Sequence, residues 1–520
     1  MRVLVLLFVF LLGLGALPAA GQQAPTFSAD AIRKHIEFLA SDRLEGREAG
    51  SVGYETAARY VAERFAAMGL KPGGTDGGWY QQVPIAAFEL DESKPASITV
   101  AGRHFANRED VLIAPTPRFG SETQIVEGAA VFVGRGTEED YAGLDVHGKF
   151  AVALLGGSGN KVRIAARHGA LGLIQLVTPQ DEASRFRWES AGSYLLRART
   201  EWLGPDGYPG GADPGLRTSA YARGAAARAL FAGAVRLADQ AFQGARGFPL
   251  MQRIRVERTS QVKPFRSPNV LGVLPGSDPQ LAGDYVVLSA HLDHIGRDAS
   301  RKGDQIFNGA MDNAAGVATM LEAARAFAEG GVRPKRSILF VALTAEEKGL
   351  LGSDYLAAHP VVGSGKVVAD VNLDMPILLY DFQDVVAFGA EHSTLGPIVA
   401  RAGASMGVTL SPDPMPQEQF FVRSDHYSFV KQGVPSVFLM TGFKNGGEAA
   451  FRSFLKTRYH RVSDQAEPDL NWAAGAKFAR LNYLLAREAA DAAEAPRWYS
   501  GNSFGERFAK DAPKAALPAN

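Results

Sequence analysis

Apolar residues come in short unbroken runs through the second half of the chain: Y-V-V-L-S-A at 285–290, S-I-L-F-V-A-L at 337–343 and V-V-A-D-V-N-L at 367–373. Runs of this length, rich in β-branched residues, read as strands buried on both faces. Between the first two, Val317, Met320, Leu321, Ala324 and Phe327 recur at helical spacing. The alternation resumes near Ser267-Pro268-Asn269-Val270 and continues to about Ala490, which predicts an α/β fold with a largely parallel sheet covered by helices.

The first half has a different texture. Ser28 to Leu70 reads as two amphipathic helices, the second closed by Gly69, with D-R-L-E-G-R-E-A-G-S between them as a loop. From about Phe88 to Val262 short strands such as G-A-A-V-F-V-G and G-K-F-A-V-A-L-L are broken by glycine-rich turns, and A-A-R-H-G-A-L-G-L-I-Q-L-V predicts a helix running into a buried strand. The segment 220–238, A-Y-A-R-G-A-A-A-R-A-L-F-A-G-A-V-R-L-A, predicts an amphipathic helix. This stretch reads as an inserted accessory domain, and the tail from Arg497 reads as surface.

The divisions expected are a leader at 1–21, a helical part of the main domain at 22–88, an insert at 89–262, the main α/β domain at 263–490 and a tail at 491–520. Met1-Arg2, an apolar run to about Gly15 and small residues near Ala20-Gly21 predict a cleaved signal peptide. The apolar run is shorter than the roughly 20 residues a spanning helix needs. The expectation is therefore an exported, periplasmic or secreted protein with no stable membrane span after cleavage.

Composition narrows the chemistry. Among 520 residues, 55 basic side chains balance 55 acidic ones, which leaves no overall field to hold nucleic acid or an anionic membrane. The chain has no cysteine, which removes disulfides, a thiolate nucleophile and any zinc–thiolate site. A metal would have to be held by nitrogen and oxygen.

Such ligands stand where the strands end: His291-Leu292-Asp293, Glu346-Glu347 and Asp374. In open α/β sheets that end of the strands is where ligands collect. Asp312, at the start of the helical segment, is a candidate bridge between two ions. His291 and Asp374 would complete one ion; Glu347 and His460 would complete the other. This oxygen and nitrogen set suits two Zn2+, with Mn2+ or Co2+ also compatible. Asp293 is placed to accept the second N–H of His291, and Asp464 to serve His460 in the same way. Adjacent glutamates divide two tasks: Glu347 binds metal, and Glu346 acts as general base toward a metal-bound water whose pKa zinc lowers to about 7. The hydroxide so formed attacks a carbonyl, and Tyr459 is a donor for the developing oxyanion. The other histidines, His294 among them, read as surface or packed side chains.

Taken together, H-L-D at 291–293, D-N-A-A-G at 312–316, A-E-E at 345–347, N-L-D at 372–374 and Y-H-x-x-x-D at 459–464 resemble the co-catalytic zinc peptidases of family M28. The resemblance covers roughly residues 28–88 and 265–490, and the insert is similar to the protease-associated (PA) domain of many members. It implies a phosphorylase/hydrolase-like α/β fold with a β-rich inserted domain, two zinc ions and exopeptidase activity on peptides, usually from the amino end. Ser424-Asp425-His426 resembles a family segment bordering the active site, which makes Asp425 and His426 substrate-side candidates, and Arg423 a candidate for a substrate carboxylate. A carboxypeptidase of the same fold, a glutaminyl-cyclase-like acyltransferase with one zinc, and a catalytically silent binding protein are the competing readings.

Overall fold

The computed structural model describes residues 25–518, apart from 118–119, 157–159, 185, 208, 211–215 and 232–245. The leader expected at 1–21 lies outside the described residues. Among the described residues no helix is long and apolar enough to cross a membrane.

The central sheet runs in the spatial order Ser337–Leu343, Asp284–His291, Lys366–Leu373 and Ser436–Thr441, each strand parallel to the next. Every residue of Ser337–Leu343 is buried, as expected for a strand covered on both faces. Antiparallel strands close the run, Asp384–Phe388 beyond Ser436–Thr441 and the long strand Phe248–Leu274 beyond Ser337–Leu343.

Side chains alternate between two cores because successive residues of a strand point to opposite faces. Val286, Leu288, Ile338 and Phe340 join the large cluster that includes Val317 and Leu321 of helix Ala315–Glu329 and Leu485 of helix Trp472–Asp491. Val287, Leu339 and Val341 face the other way, onto Leu356 and Phe429. The two N-terminal helices form as expected, Ala29–Leu39 and Val52–Ala67, with Ser28 and Ser51 accepting from the amides of Ala31 and Tyr54 at their first turns.

A second sheet occupies the inserted region. Thr123–Phe132, Phe150–Leu154, Gly172–Leu176 and Thr218–Ala222 lie parallel in that order. The two sheets are joined by a ribbon: Tyr80–Leu90 pairs antiparallel with Ser260 to Val270 of the long strand. The expected divisions at 88/89 and 262/263 therefore fall inside continuous, paired strands, which carry no linker composition to mark them.

Two sequence expectations are corrected here. Residues 220–222, expected in a helix, belong to the strand Thr218–Ala222, which pairs with Gly172–Leu176 and with Val111–Ile113; Gly224–Ala229 is helical, and 232–238 of that expected helix lie outside the described residues. Pairing on both sides outweighs the helix propensity of alanine there. The tail is not a surface appendage. Trp498 is 2% exposed, its indole N–H donates to Gly433 O at 2.8 Å, and helix Ser503–Phe508 follows it. A buried indole needs such an acceptor.

Candidate metal centre

The parallel strands deliver their C-terminal residues to one place. His291 ends the strand Asp284–His291, Glu346 and Glu347 follow Ser337–Leu343, and Asp374 follows Lys366–Leu373. Asp312 comes from the turn Ala310–Ala314 ahead of helix Ala315–Glu329, with φ −111° and ψ 90°. It is not a helix cap but an extended residue three positions upstream of the helix. His460 follows helix Gly447–Thr457 with φ +54°.

Distances divide these side chains into two groups that share Asp312. His291 Nε2 lies 3.2 Å from Asp312 Oδ1 and 3.2 Å from Asp374 Oδ1. His460 Nε2 lies 3.3 Å from Asp312 Oδ2 and 3.3 Å from Glu347 Oε2. Ligands at ordinary zinc bond lengths stand about 3.3 Å apart along a tetrahedral edge, so the spacing and the donor types fit a metal in each group. The two oxygens of Asp312 face different groups, the arrangement a bridging carboxylate requires.

Burial and charge act in opposition here. Burial alone would lower His291, but the Asp374 and Glu346 carboxylates and its bonds to Asp312 and Asp374 hold it well above the usual imidazole range. Burial would likewise raise Asp312, and the His291 and His460 imidazoles outweigh it, keeping Asp312 well below the usual carboxylate range. Glu346 is raised well above its ordinary value by burial first, then by Asp425, Asp374 and Glu347, with His291 opposing. A carboxyl so shifted holds a proton more readily than one in water.

Asp293 and Asp464 lie at the centre with contacts other than those expected. His291 Nδ1 is 3.1 Å from the Asp293 backbone carbonyl and 3.9 Å from its carboxylate. The carboxylate instead accepts from the amides of Glu346 and Glu347, at 3.0 and 3.3 Å. Asp464 accepts from the amides of Met311 and Asp312, each at 3.0 Å, and not from His460. Both carboxylates thus orient the backbone that carries a ligand; burial raises each to about 6.

The Tyr459 ring stacks on His460, with centroids 3.8 Å apart. Burial, reinforced by Asp312 and Asp374, raises its hydroxyl, so it keeps its proton at neutral pH. Asp425 and His426 depart from the substrate-side expectation: both are 0% exposed. Burial pushes Asp425 up to about 7, and His426 Nε2 lies 2.7 Å from Phe421 O. Arg423 is exposed and engages its own loop, Nη1 lying 3.6 Å from Glu418 Oε2 with the guanidinium 5.5 Å over the Phe420 ring.

Two residues at the centre, His294 and Arg47, escape a reading of the sequence, and Ser424, placed near the site by resemblance, has contacts the sequence does not specify. His294, expected to be packed, places Nδ1 2.7 Å from Glu347 Oε1 and 3.9 Å from Asp312 Oδ2. It is fully buried, and neither ring nitrogen makes a well-aligned hydrogen bond among the described residues. His294, Asp312 and Glu347 together form a second candidate metal-holding group beside His291, Asp312 and Asp374. The signal was a histidine three residues past His291 in the same loop, whose path the sequence does not specify. Ser424 donates to Asp374 Oδ2 at 2.7 Å and accepts from Asn372 Nδ2 at 2.7 Å.

Arg47, in a segment expected to be a plain loop, is 1% exposed. Its guanidinium donates to the carbonyls of Leu292 and Gly309 at 2.9 and 3.0 Å, and also to those of Asn308 and Leu39. It therefore fastens the loops carrying His291, His294 and Asp312 to one another. Gly46 makes the approach possible: a Cβ there would stand 2.4 Å from Gly296 O.

Known proteins match parts of this chain. Residues 269–486 match the model of peptidase family M28. A probable leucine aminopeptidase 2 of Aspergillus oryzae is 27% identical over 277 residues, 47% of this chain and 51% of that protein. A probable zinc metalloprotease of Pyrenophora teres f. teres is 39% identical over 114 residues, 22% of this chain and 23% of that one. The chain thus spans about half the length of the first relative and less of the second. Among solved structures, an aminopeptidase from Aneurinibacillus sp. strain AM-1 is 20% identical with a TM-score of 0.47, covering 89% of this chain and 94% of that one. Residues 269–486, which match the peptidase family M28 model, contain every candidate ligand named above.

Proposed function

We propose that this protein is a dizinc exopeptidase that removes amino-terminal residues from peptides. The observation that carries the reading is Asp312, whose two oxygens face separate groups of imidazole and carboxylate ligands. One ion would be held by His291, Asp374 and Asp312, the other by Asp312, Glu347, His460 and His294. When bound, zinc supplies a Lewis acid for the peptide carbonyl and an acidified water.

The chain's own residues then handle protons and orientation. Glu346, whose affinity for a proton is raised by burial, would as a carboxylate take a proton from the attacking water and return it to the departing amine. The Tyr459 hydroxyl, which stays protonated, donates to the oxyanion as it develops. Asp293, Asp464 and Ser424 hold the ligands at their angles. The direction of attack, from the amino end, is supported by the name of one relative, a probable leucine aminopeptidase 2. Export is supported by the character of residues 1–21, and an accessory role for the insert by its separate sheet.

The test is mass spectrometry of free, N-acetylated and C-amidated peptides incubated with the zinc-loaded protein and with Glu346→Gln. Shortening from the amino end that acetylation blocks, with kcat lowered about 100- to 10,000-fold in the variant while both ions are retained, is the expected result. Loss from the carboxyl end, or unchanged turnover in Glu346→Gln, overturns it.

A further inference from the structure

Beside the metal centre lies a cavity of about 530 Å³, lined by Glu347 and Lys348 on one wall and by Tyr194, Arg197, Arg199 and Glu201 of the inserted region on the other. Glu347 is a candidate ligand, so whatever occupies this cavity adjoins the reacting centre. The far wall is built into the fold. The strand Arg199–Trp202 pairs antiparallel with the strand Tyr80–Leu90, Arg199 opposite Phe88 and Trp202 opposite Ile85. Trp202 packs edge-on against Tyr355 and His359, at 5.3 and 5.4 Å, at the end of the helix that follows Glu347.

The charges in the cavity do not cancel one another. Lys348 is paired, its Nζ 2.8 Å from Glu48 Oε1. Glu347 is turned toward His294 and His460. Glu201 lies in the same cavity but makes no ion pair with either arginine among the described residues; burial raises its carboxyl against the pull of Arg199. Arg197 and Arg199 remain. Their guanidinium groups lie 4.5 and 6.0 Å from the Tyr194 ring, and among the described residues neither has a carboxylate within ion-pair reach. A guanidinium lying over a ring face still has its in-plane N–H donors for another partner, and Arg199 Nε is buried with no hydrogen-bond partner among the described residues. Such donors match a carboxylate, which a guanidinium binds through two parallel hydrogen bonds.

We infer that Arg197 and Arg199 form a carboxylate-binding subsite, by which the inserted region selects peptides bearing an acidic group close to the scissile bond. The group is either an acidic side chain or the free C-terminus of a short peptide. This rests on the peptidase reading above, and it gives the insert a defined task in substrate choice. Tyr194, 59% exposed, forms the apolar shelf against which the adjoining substrate atoms lie.

Four dipeptides separate the sources: Leu-Gln-amide without a carboxylate, Leu-Glu-amide and Glu-Leu-amide with one on a side chain, and Leu-Gln with a free terminus. The zinc-loaded full chain should favour at least one carboxylate-bearing peptide over Leu-Gln-amide by about three- to tenfold in kcat/KM, the size expected for a partly exposed ion pair. In the Arg197→Ala/Arg199→Ala double variant that ratio should fall to about one. A wild-type ratio of one for all three acidic peptides, or a ratio unchanged in the double variant, overturns the subsite. Calorimetric binding of the same peptides to Glu346→Gln is the second readout. A binding preference lost in the arginine variant, with no turnover by the wild type, removes the peptidase reading and upholds the subsite. No preference in binding or turnover overturns the subsite.

Discussion

The strands Asp284–His291, Ser337–Leu343 and Lys366–Leu373 of the central sheet and the strands Phe150–Leu154, Gly172–Leu176 and Thr218–Ala222 of the inserted sheet are the same kind of object. Each set is a short, mostly buried, parallel run. Even the cation at the strand ends recurs. Arg47 donates to the carbonyls of Leu292, Asn308 and Gly309 in the first sheet, while Lys161 donates to those of Leu155 and Gly156, both at 2.7 Å, and of Leu154 in the second. What differs is the residue after each strand. The first set ends in His291, Glu346-Glu347 and Asp374, and the second in Leu155, Val177 and Arg223. A parallel sheet supplies a place where side chains converge; the residue types there decide whether it does chemistry.

The comparison can be broken most severely at Asp312. Asp312→Asn keeps the shape but removes the charge and one accepting oxygen that two groups share. Metal affinity should fall by more than about 100-fold, with fewer than two ions per chain by elemental analysis after dialysis. His294→Gln should weaken one ion only, by about 10- to 100-fold. Retention of two ions by Asp312→Asn would remove the bridge.

A smaller effect sharpens the contrast between the two cations. Arg47→Lys keeps the charge but loses the planar fork, leaving buried carbonyls without donors at about 1–3 kcal/mol each. Lys161→Met does the same to the inserted sheet. Both variants should melt earlier in calorimetry, but only Arg47→Lys should lower zinc affinity, by about tenfold. Equal loss of zinc affinity in both variants would erase the distinction.

The smallest effect is on stability against pH. Burial pushes His426 down to about 3, from an ordinary value of 6.5. Below pH 6.5 the unfolded chain takes up a proton that the folded chain refuses, so this residue's contribution to stability falls as the pH drops from 6.5 toward 3. At pH 5 the loss is about 2 kcal/mol. The drop in melting temperature between pH 7 and pH 5 should therefore be smaller in His426→Gln. An identical drop in both proteins would show that the imidazole accepts its proton while folded.

The ligand segments were legible because each is an abrupt change of texture: an apolar strand followed at once by His291, Glu346-Glu347 or Asp374. Arg47 and His294 were not, since each lies in an irregular loop with no period to read. Their burial depends on contacts made far along the chain, Arg47 with residues near 292 and 309 and His294 with Glu347. Asp293 and Asp464 were singled out by position, but their hydrogen bonds go to the amides of Glu346 and Asp312 instead of to imidazoles. Sequence spacing fixes which residues are near one another, not which way a carboxylate turns.

By itself, the sequence determined the alternation of buried strands and helices, the oxygen and nitrogen character of any metal site, and the four segments that end in ligands. These follow from hydrophobic burial and residue chemistry, both local along the chain. Only the tertiary structure decided that Asp312 faces two groups, that His294 joins one of them, and that Arg197 and Arg199 stand across a cavity from Glu347. Those arrangements are set by packing between separate elements, some more than a hundred residues apart, such as Arg199–Trp202 paired with Tyr80–Leu90, and no local pattern encodes them.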